Sequence, residues 1–312
     1  MEALQPGGII LFSRNIFEVQ QVQALVRELR ALPGKPFVAI DLEGGSVNRL
    51  RSLIGELPPP AQVATGGEQA ARTLGEACGA ACAALGIGVD FAPVLDAAQE
   101  GGVLFQEQRC WGCHWETVSR LAGAFLEGLE SYGVQGCLKH YPGLGSGQVD
   151  AHKSLPVLED QVREERRAFF ALSSPARAVM VAHALAPALG EGVSPCSLSR
   201  RIVGGLPETV GPIIADDLEM GALAGWGALP ERAAAALWAG CHLVLLCNAL
   251  DEREPVASHV DRWVARSPQL AACLAQAAAV LGNYGRNGPP SLPWEYAMEK
   301  VREAQRCVEG TV

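Results

Sequence analysis

Short runs of almost uninterrupted apolar residues recur along the chain, each followed by a longer stretch compatible with a helix. The runs are residues 8–12 (GIILF), 37–41 (FVAID), 89–94 (VDFAPV), 136–140 (GCLKH), 178–183 (AVMVAH), 211–216 (GPIIAD) and 242–247 (HLVLLC). Consecutive apolar positions predict strands buried on both faces, as in a parallel sheet covered by helices. Between the runs, residues 19–32, 68–85, 115–131, 158–172 and 230–239 read as helices. Strand and helix therefore alternate, which predicts an α/β protein with a parallel sheet, either open and doubly wound or closed as a barrel.

The polar residues favour the barrel. Asp41, Asp96, Lys139, His140, His183, Asp216 and Asn248 fall at the C-terminal ends of successive runs, and in a TIM-type (β/α) barrel those ends converge on one active-site face. An open dinucleotide-binding sheet would carry a Gly-x-Gly-x-x-Gly turn after its first strand, and none stands there; a P-loop is absent too. Seven runs are one short of a closed barrel. The first begins almost at Met1, so the expectation is a barrel lacking its first strand at the N-terminus. Residues 1–285 are expected to form the barrel. Residues 286–312 supply a Pro-rich segment and a helix, 294–308, that packs back on it.

Composition narrows the partners. The chain has 312 residues, 49% of them hydrophobic and 19% charged, enough for a large core. A net charge of −9 lacks the basic footprint of nucleic-acid or anionic-membrane binding. The first residues have no basic and apolar export signal, so a cytoplasmic location is expected, with the ten cysteines reduced. Cys78 and Cys82, four apart on a helical pattern, read as core packing, as do Trp226 and Trp238.

Three clusters could carry chemistry. Residues 139–152 (KHYPGLGSGQVDAH) lead from a strand end through a glycine-rich loop to an Asp-x-His pair; Asp150 there can accept the His152 ring N–H and fix its tautomer for general acid–base work. Residues 213–220 (IIADDLEM) place two carboxylates where a strand meets its loop; adjacent side chains on a strand point oppositely, so one of Asp216 and Asp217 is expected at the barrel mouth and the other elsewhere, as a helix cap for instance. Residues 39–49 (AIDLEGGSVNR) put Asp41 before a Gly-Gly turn and Arg49, a pair able to grip sugar hydroxyls or to form a surface turn.

Together these segments, with residues 8–15 (GIILFSRN) and 91–96 (FAPVLD), resemble glycoside hydrolase family 3, and within it the single-domain bacterial β-N-acetylglucosaminidases of the peptidoglycan-recycling type. The resemblance runs from residue 8 to residue 242. It implies that Asp216 is the nucleophile, that His152 supported by Asp150 is the acid–base pair, and that Asp41, Arg49, Arg109, Lys139 and His140 contact the sugar, with His183 a further strand-end candidate. It implies a small carbohydrate substrate derived from peptidoglycan, retention of configuration, and neither metal nor cofactor. Ser46, Leu144 and Ala151 stand where the family usually has arginine, histidine and serine.

Other readings compete with this one. Cys110-Trp111-Gly112-Cys113-His114 matches a c-type haem attachment pattern, which belongs to exported proteins, and no second Cys-x-x-Cys is present to complete a zinc site. Within enzymes, a family-3 phosphorylase or β-glucosidase is the alternative; outside them, a sugar-binding remnant without catalysis.

Overall fold

The computed structural model describes residues 4–282 and 284–307. Its strands and helices, in chain order, are β1 (Gly8–Leu11), α1 (Val19–Arg30), β2 (Phe37–Ile40), the short hairpin β3 (Leu42–Gly44) and β4 (Val47–Asn48), α2 (Arg51–Ile54), α3 (Pro60–Val63), α4 (Gly67–Leu85), β5 (Val89–Asp90), α5 (Val103–Gln106), α6 (Trp115–Glu130), β6 (Gln135–Tyr141), α7 (Val162–Leu172), β7 (Ala178–Val181), α8 (Arg200–Val203), β8 (Ile213–Asp217), α9 (Leu229–Ala239), β9 (Leu243–Leu245), α10 (Arg253–Val264), α11 (Pro268–Leu281) and α12 (Trp294–Arg306). Each of the seven apolar runs coincides with or overlaps a strand of one sheet. The order is β1-β2-β5-β6-β7-β8-β9, all neighbours parallel.

The sheet curls on itself as a TIM-type barrel, and alternate side chains leave opposite faces of each strand. One set points inward: Phe37, Ala39, Val89, Phe91, Cys137, Ala178, Met180 and Ile214 pack as one interior cluster, joined by Ile10, Leu243 and Leu245 from the two outermost strands. The other set, including Val38, Ile40, Leu138, Val179, Val181 and Ala215, packs against the helices. Tyr284, just after α11, enters the interior from the N-terminal end of the strands. Its ring meets Phe37 edge-on at 5.5 Å and its hydroxyl donates to the Gly136 carbonyl at 3.1 Å.

Among the described residues β1 and β9 each have one sheet neighbour, so the barrel is open between them, where the expected shortfall lies. Both strands are only half-buried, whereas β2 and β7 are fully buried. At the mouth Arg14 spans the opening, its Nη2 donating to the Cys247 carbonyl at 2.6 Å.

The helical layer follows the sequence pattern closely. α1 buries Val22, Val26 and Leu29 at helical spacing, and α6 buries Val118, Leu121, Ala122, Phe125, Leu126 and Leu129. α4 is different: it is rich in Ala, Gly and Cys and buried on nearly all sides, Cys78 and Cys82 included, because α6 flanks it on one side and α12 on another. Ala297 of α12 packs on Ala80 and Ala84, and Lys300 pairs with Glu76 at 3.2 Å. α12 ends at Arg306, and the last expected position of that helix, Val308, lies outside the described residues.

Some expectations shift. The 158–172 stretch forms its helix only from Val162, and α10 and α11 were not foreseen. Trp226 packs against the core, but Trp238 is exposed, with the Arg200 guanidinium 4.8 Å over its ring.

The close approach of α4 and α6 depends on glycine. A Cβ on Gly75 would run into the Phe125 carbonyl oxygen, and one on Gly128 into the Arg72 carbonyl oxygen. Gly75→Ala is therefore expected to force the helices apart at a cost of about 1–3 kcal/mol. Urea unfolding checks this: the midpoint should fall with little change in slope, and an unchanged midpoint would show that the contact does not limit packing.

Candidate active site

The inward columns of the barrel do not stop at the interior cluster. Two residues beyond Ala39 stands Asp41; two beyond Cys137, Lys139; two beyond Ile214, Asp216; two beyond Leu245, Cys247; two beyond Ile10, Phe12. All five line a cavity of about 420 Å³ at the C-terminal ends of the strands, together with Glu43, Arg49, Arg109, His140, Asp150, His152, Asp217 and Asn248. The volume suits a small ligand and the lining is densely charged.

At one side of the floor is an ion cluster. Lys139 Nζ lies 2.8 Å from Asp41 Oδ1 and 2.6 Å from Glu43 Oε1. Glu43 also accepts two hydrogen bonds from Arg109, at 2.8 and 2.9 Å, and Arg49 stands 3.8 Å from Asp41. Burial alone would raise the Glu43 pKa, but Arg109 and Lys139 hold it down to about 2. The same carboxylates raise Lys139 against its burial. The cluster is thus fixed in its charged form, with donors and acceptors ready for hydroxyl groups. Glu43 was not singled out from the sequence. Its signal is positional: it follows Asp41 by two residues in a segment where the strand passes directly into the β3 hairpin.

His140 stands beside this cluster. Asp96, fully buried, lies 2.7 Å from its Nδ1 and accepts from the backbone N–H groups of His140 and Leu144. That leaves Nε2 for the cavity. Asp96 itself does not line the cavity, so it acts through His140.

Asp216 and Asp217 both reach the cavity, which corrects the expectation that one must point away. The register of β8 against β9 shifts between Ala215 and Asp217, so strict alternation ends there. Neither residue caps a helix. Asp216 Oδ1 accepts from Asp217 N–H at 2.8 Å, and Asp217 Oδ1 accepts from Glu219 N–H at 3.2 Å. Burial works against ionisation of Asp216, but His140 and His183 nearby, that hydrogen bond and Lys139 keep its pKa below the usual value. Asp217 is pushed the other way, to about 6, by burial and by Glu219 and Asp216.

His183 does not line the cavity. It is buried behind β8: Nε2 donates to the Asp217 carbonyl at 3.0 Å, so Nδ1 accepts from the Ser197 hydroxyl at 2.7 Å. Burial lowers its pKa, and it braces the backbone of the carboxylate pair.

Asp150 and His152 come from the rim. Asp150 Oδ1 accepts from the His152 backbone at 2.9 Å and faces the ring Nδ1 at 3.0 Å. Those hydrogen bonds lower the Asp150 pKa although its partial burial opposes the shift. The His152 ring is 76% exposed at the cavity edge, with Nε2 free. An exposed rim position suits a group that exchanges protons with a departing fragment.

In the Cys110–His114 segment Cys110 is buried, Cys113 is exposed and His114 is the extended residue just before α6. The segment's contribution to the cavity is the preceding Arg109. Among the described residues no helix is long and apolar enough to cross a membrane.

The glycosyl hydrolase family 3 N terminal domain matches residues 1–271. The chain belongs to this family of glycoside hydrolases. A β-hexosaminidase of Idiomarina loihiensis is 35% identical over 257 residues, 78% of this chain and 76% of that protein, and one of Pseudomonas aeruginosa is 35% identical over 274 residues, 84% and 81%. Among solved structures, NagZ of Neisseria gonorrhoeae superposes with a TM-score of 0.79 at 28% identity, covering 97% of this chain and 90% of that one. A family 3 β-N-acetylglucosaminidase of Paenibacillus has a TM-score of 0.85 at 26% identity; this chain spans 63% of its length.

The turn that starts the acid–base loop rests on a second buried carboxylate. Glu165 of α7 accepts from Gly145 N–H at 3.2 Å, and its pKa rises to about 8 through burial and through Asp96. Its ordinary value is 4.5. Between those values the folded chain keeps a proton that the unfolded chain has lost. The stability from this group is therefore complete below pH 4.5 and declines as pH rises to about 8. Glu165→Gln should remove that decline. Its thermal midpoint is expected to gain on the wild type between pH 5 and pH 8, and a pH-independent difference would refute the assignment.

Proposed function

We propose that this chain is a retaining β-N-acetylglucosaminidase that removes terminal non-reducing N-acetylglucosamine through a covalent glycosyl-aspartate. The carrying observation is the pairing, in one polar cavity, of an ionised Asp216 on the floor with an Asp150–His152 dyad on the rim. The relatives support the substrate class: those above are β-hexosaminidases, and Neisseria NagZ also forms a complex with N-trifluoroacetyl-D-glucosamine. Residues 1–285 would form the catalytic unit and 286–312 a brace on its outside.

The chemistry runs in two displacements. Asp216 Oδ2, free of the Asp217 N–H, attacks the anomeric carbon while protonated His152 gives its Nε2 proton to the leaving oxygen, so the C1–O bond breaks and a glycosyl ester forms. Neutral His152 then takes a proton from water, the water oxygen attacks the same carbon, and Asp216 departs as carboxylate. Two inversions retain configuration. Asp150 keeps the proton-bearing tautomer aligned and stabilises the imidazolium, as a carboxylate behind a catalytic histidine does. Asp41, Arg49, Arg109, Lys139 and His140 hold the sugar hydroxyls while positive charge spreads over the ring. The physiological substrate in this proposal is a peptidoglycan fragment carrying N-acetylglucosamine on 1,6-anhydro-N-acetylmuramic acid, met in the cytoplasm.

Release of 4-nitrophenol from its N-acetyl-β-glucosaminide tests the reading. Wild type should turn over, Asp216→Asn should be nearly inactive, and His152→Ala should lose on the order of 10²–10⁴-fold, the usual contribution of a general acid–base. Folded wild type without activity, or Asp216→Asn with full activity, would overturn it.

A further inference from the structure

The loop that follows Asp216 and Asp217 comes back to meet the loop that carries His152. After Met220 the chain forms a single 3-10 turn, Gly221–Leu223, lying directly against the acid–base loop. Two backbone hydrogen bonds join the loops: Gly221 N–H donates to the His152 carbonyl at 3.1 Å, and Ala222 N–H to the Ala151 carbonyl at 3.0 Å. Around them Ala151, Met220 and Ala222 form a small buried apolar cluster with Leu155 packed on it, separate from the barrel interior and from the helical layer. The methyl group of Ala151 completes this cluster.

Space at Gly221 makes the contact sensitive. A Cβ there would stand 2.5 Å from the His152 carbonyl oxygen and 2.8 Å from that of Lys153. Both are backbone atoms and cannot yield without moving the loop. Gly221 is outside the positive-φ glycines, so the requirement is for room and not for an unusual backbone conformation. His152 itself has little else to hold it: its ring is exposed, and its other bonds are local ones to Asp150.

We propose that Gly221 is a positioning residue: through its contact with residues 151–153 it registers the Asp150–His152 dyad against the nucleophile on the same strand end. The proposal rests on the reading of Asp216 and His152 given above. It separates two quantities that ordinary destabilisation would not. Asp216 is required for every substrate, whereas proton donation by His152 matters in proportion to the basicity of the leaving group.

The experiment compares kcat/KM of wild type, Gly221→Ala and Leu155→Ala over aryl N-acetyl-β-glucosaminides from 2,4-dinitrophenyl to phenyl. This parameter reports formation of the glycosyl-enzyme, the step in which His152 acts as acid. Gly221→Ala is expected to lose at least about tenfold on the phenyl glycoside and less than about threefold on the dinitrophenyl one, within the span of general-acid effects. Leu155 lies outside the cavity lining, and Leu155→Ala should show the same trend more weakly, which decides the matter if Gly221→Ala does not fold. Added azide, which needs no general base, should raise kcat of Gly221→Ala on the dinitrophenyl substrate and leave wild type unchanged. Equal losses across the series in a folded variant, or no loss in either variant, would overturn this proposal alone. Wild-type inactivity on the whole series would overturn the functional reading and this proposal with it.

Discussion

Everything in this protein hangs on the alternation of side chains along strands curled around a common axis. Each strand sends every second residue inward, and a parallel barrel has no other way to fill its interior. The columns Phe37–Ala39–Asp41, Ile214–Asp216 and Leu243–Leu245–Cys247 show the consequence: the residue that ends the apolar filling and the residue that begins the cavity differ by one step of the same period. Fold and site are therefore one construction, and the polar group is aimed by the apolar ones beneath it.

Charge is handled by the same economy of position. Lys139 would be costly at its depth without Asp41 and Glu43, and Glu43 would be costly without Lys139 and Arg109. The four residues come from two strand ends, a hairpin and a loop, so the cluster ties the β2, β6 and α5–α6 segments together at the mouth. Groups one step behind the cavity do quieter work. Asp96 orients His140, and His183 braces the carbonyl of Asp217. A reader of the sequence sees Asp96 and His183 as equals of Asp41 and Asp216 because all stand at strand ends; only the direction of the side chain separates them.

Much of the fold was legible because continuous apolar runs and helical spacing are strong local signals: the seven strands of the main sheet and the helices α1, α4, α6, α7, α9 and α12 fall where those signals lie, whereas α10 and α11 do not. The site was legible through its family motifs, which named Asp41, Arg49, Arg109, Lys139, His140, Asp150, His152 and Asp216, all of which line the cavity. What was not legible depends on tertiary contact. Glu43 is silent until Arg109 and Lys139 meet it from distant segments. Asp217 joins the cavity only because a register shift interrupts the alternation on which the sequence argument relied. Trp238, read as packing, is exposed because α9 turns that face outward beneath Arg200. Tyr284 sits in a stretch with no strong pattern, yet it fills the end of the barrel.

That last residue makes the interior depend on something outside the sheet. The strands from β1 to β9 enclose the interior, but its lower end is covered by the Tyr284 ring, which meets Phe37 and reaches the Gly136 carbonyl. A barrel whose site sits at one end is thus plugged at the other by a side chain that belongs to no strand, so that a change in the segment after α11 would be felt first in the packing beneath β2 and β6.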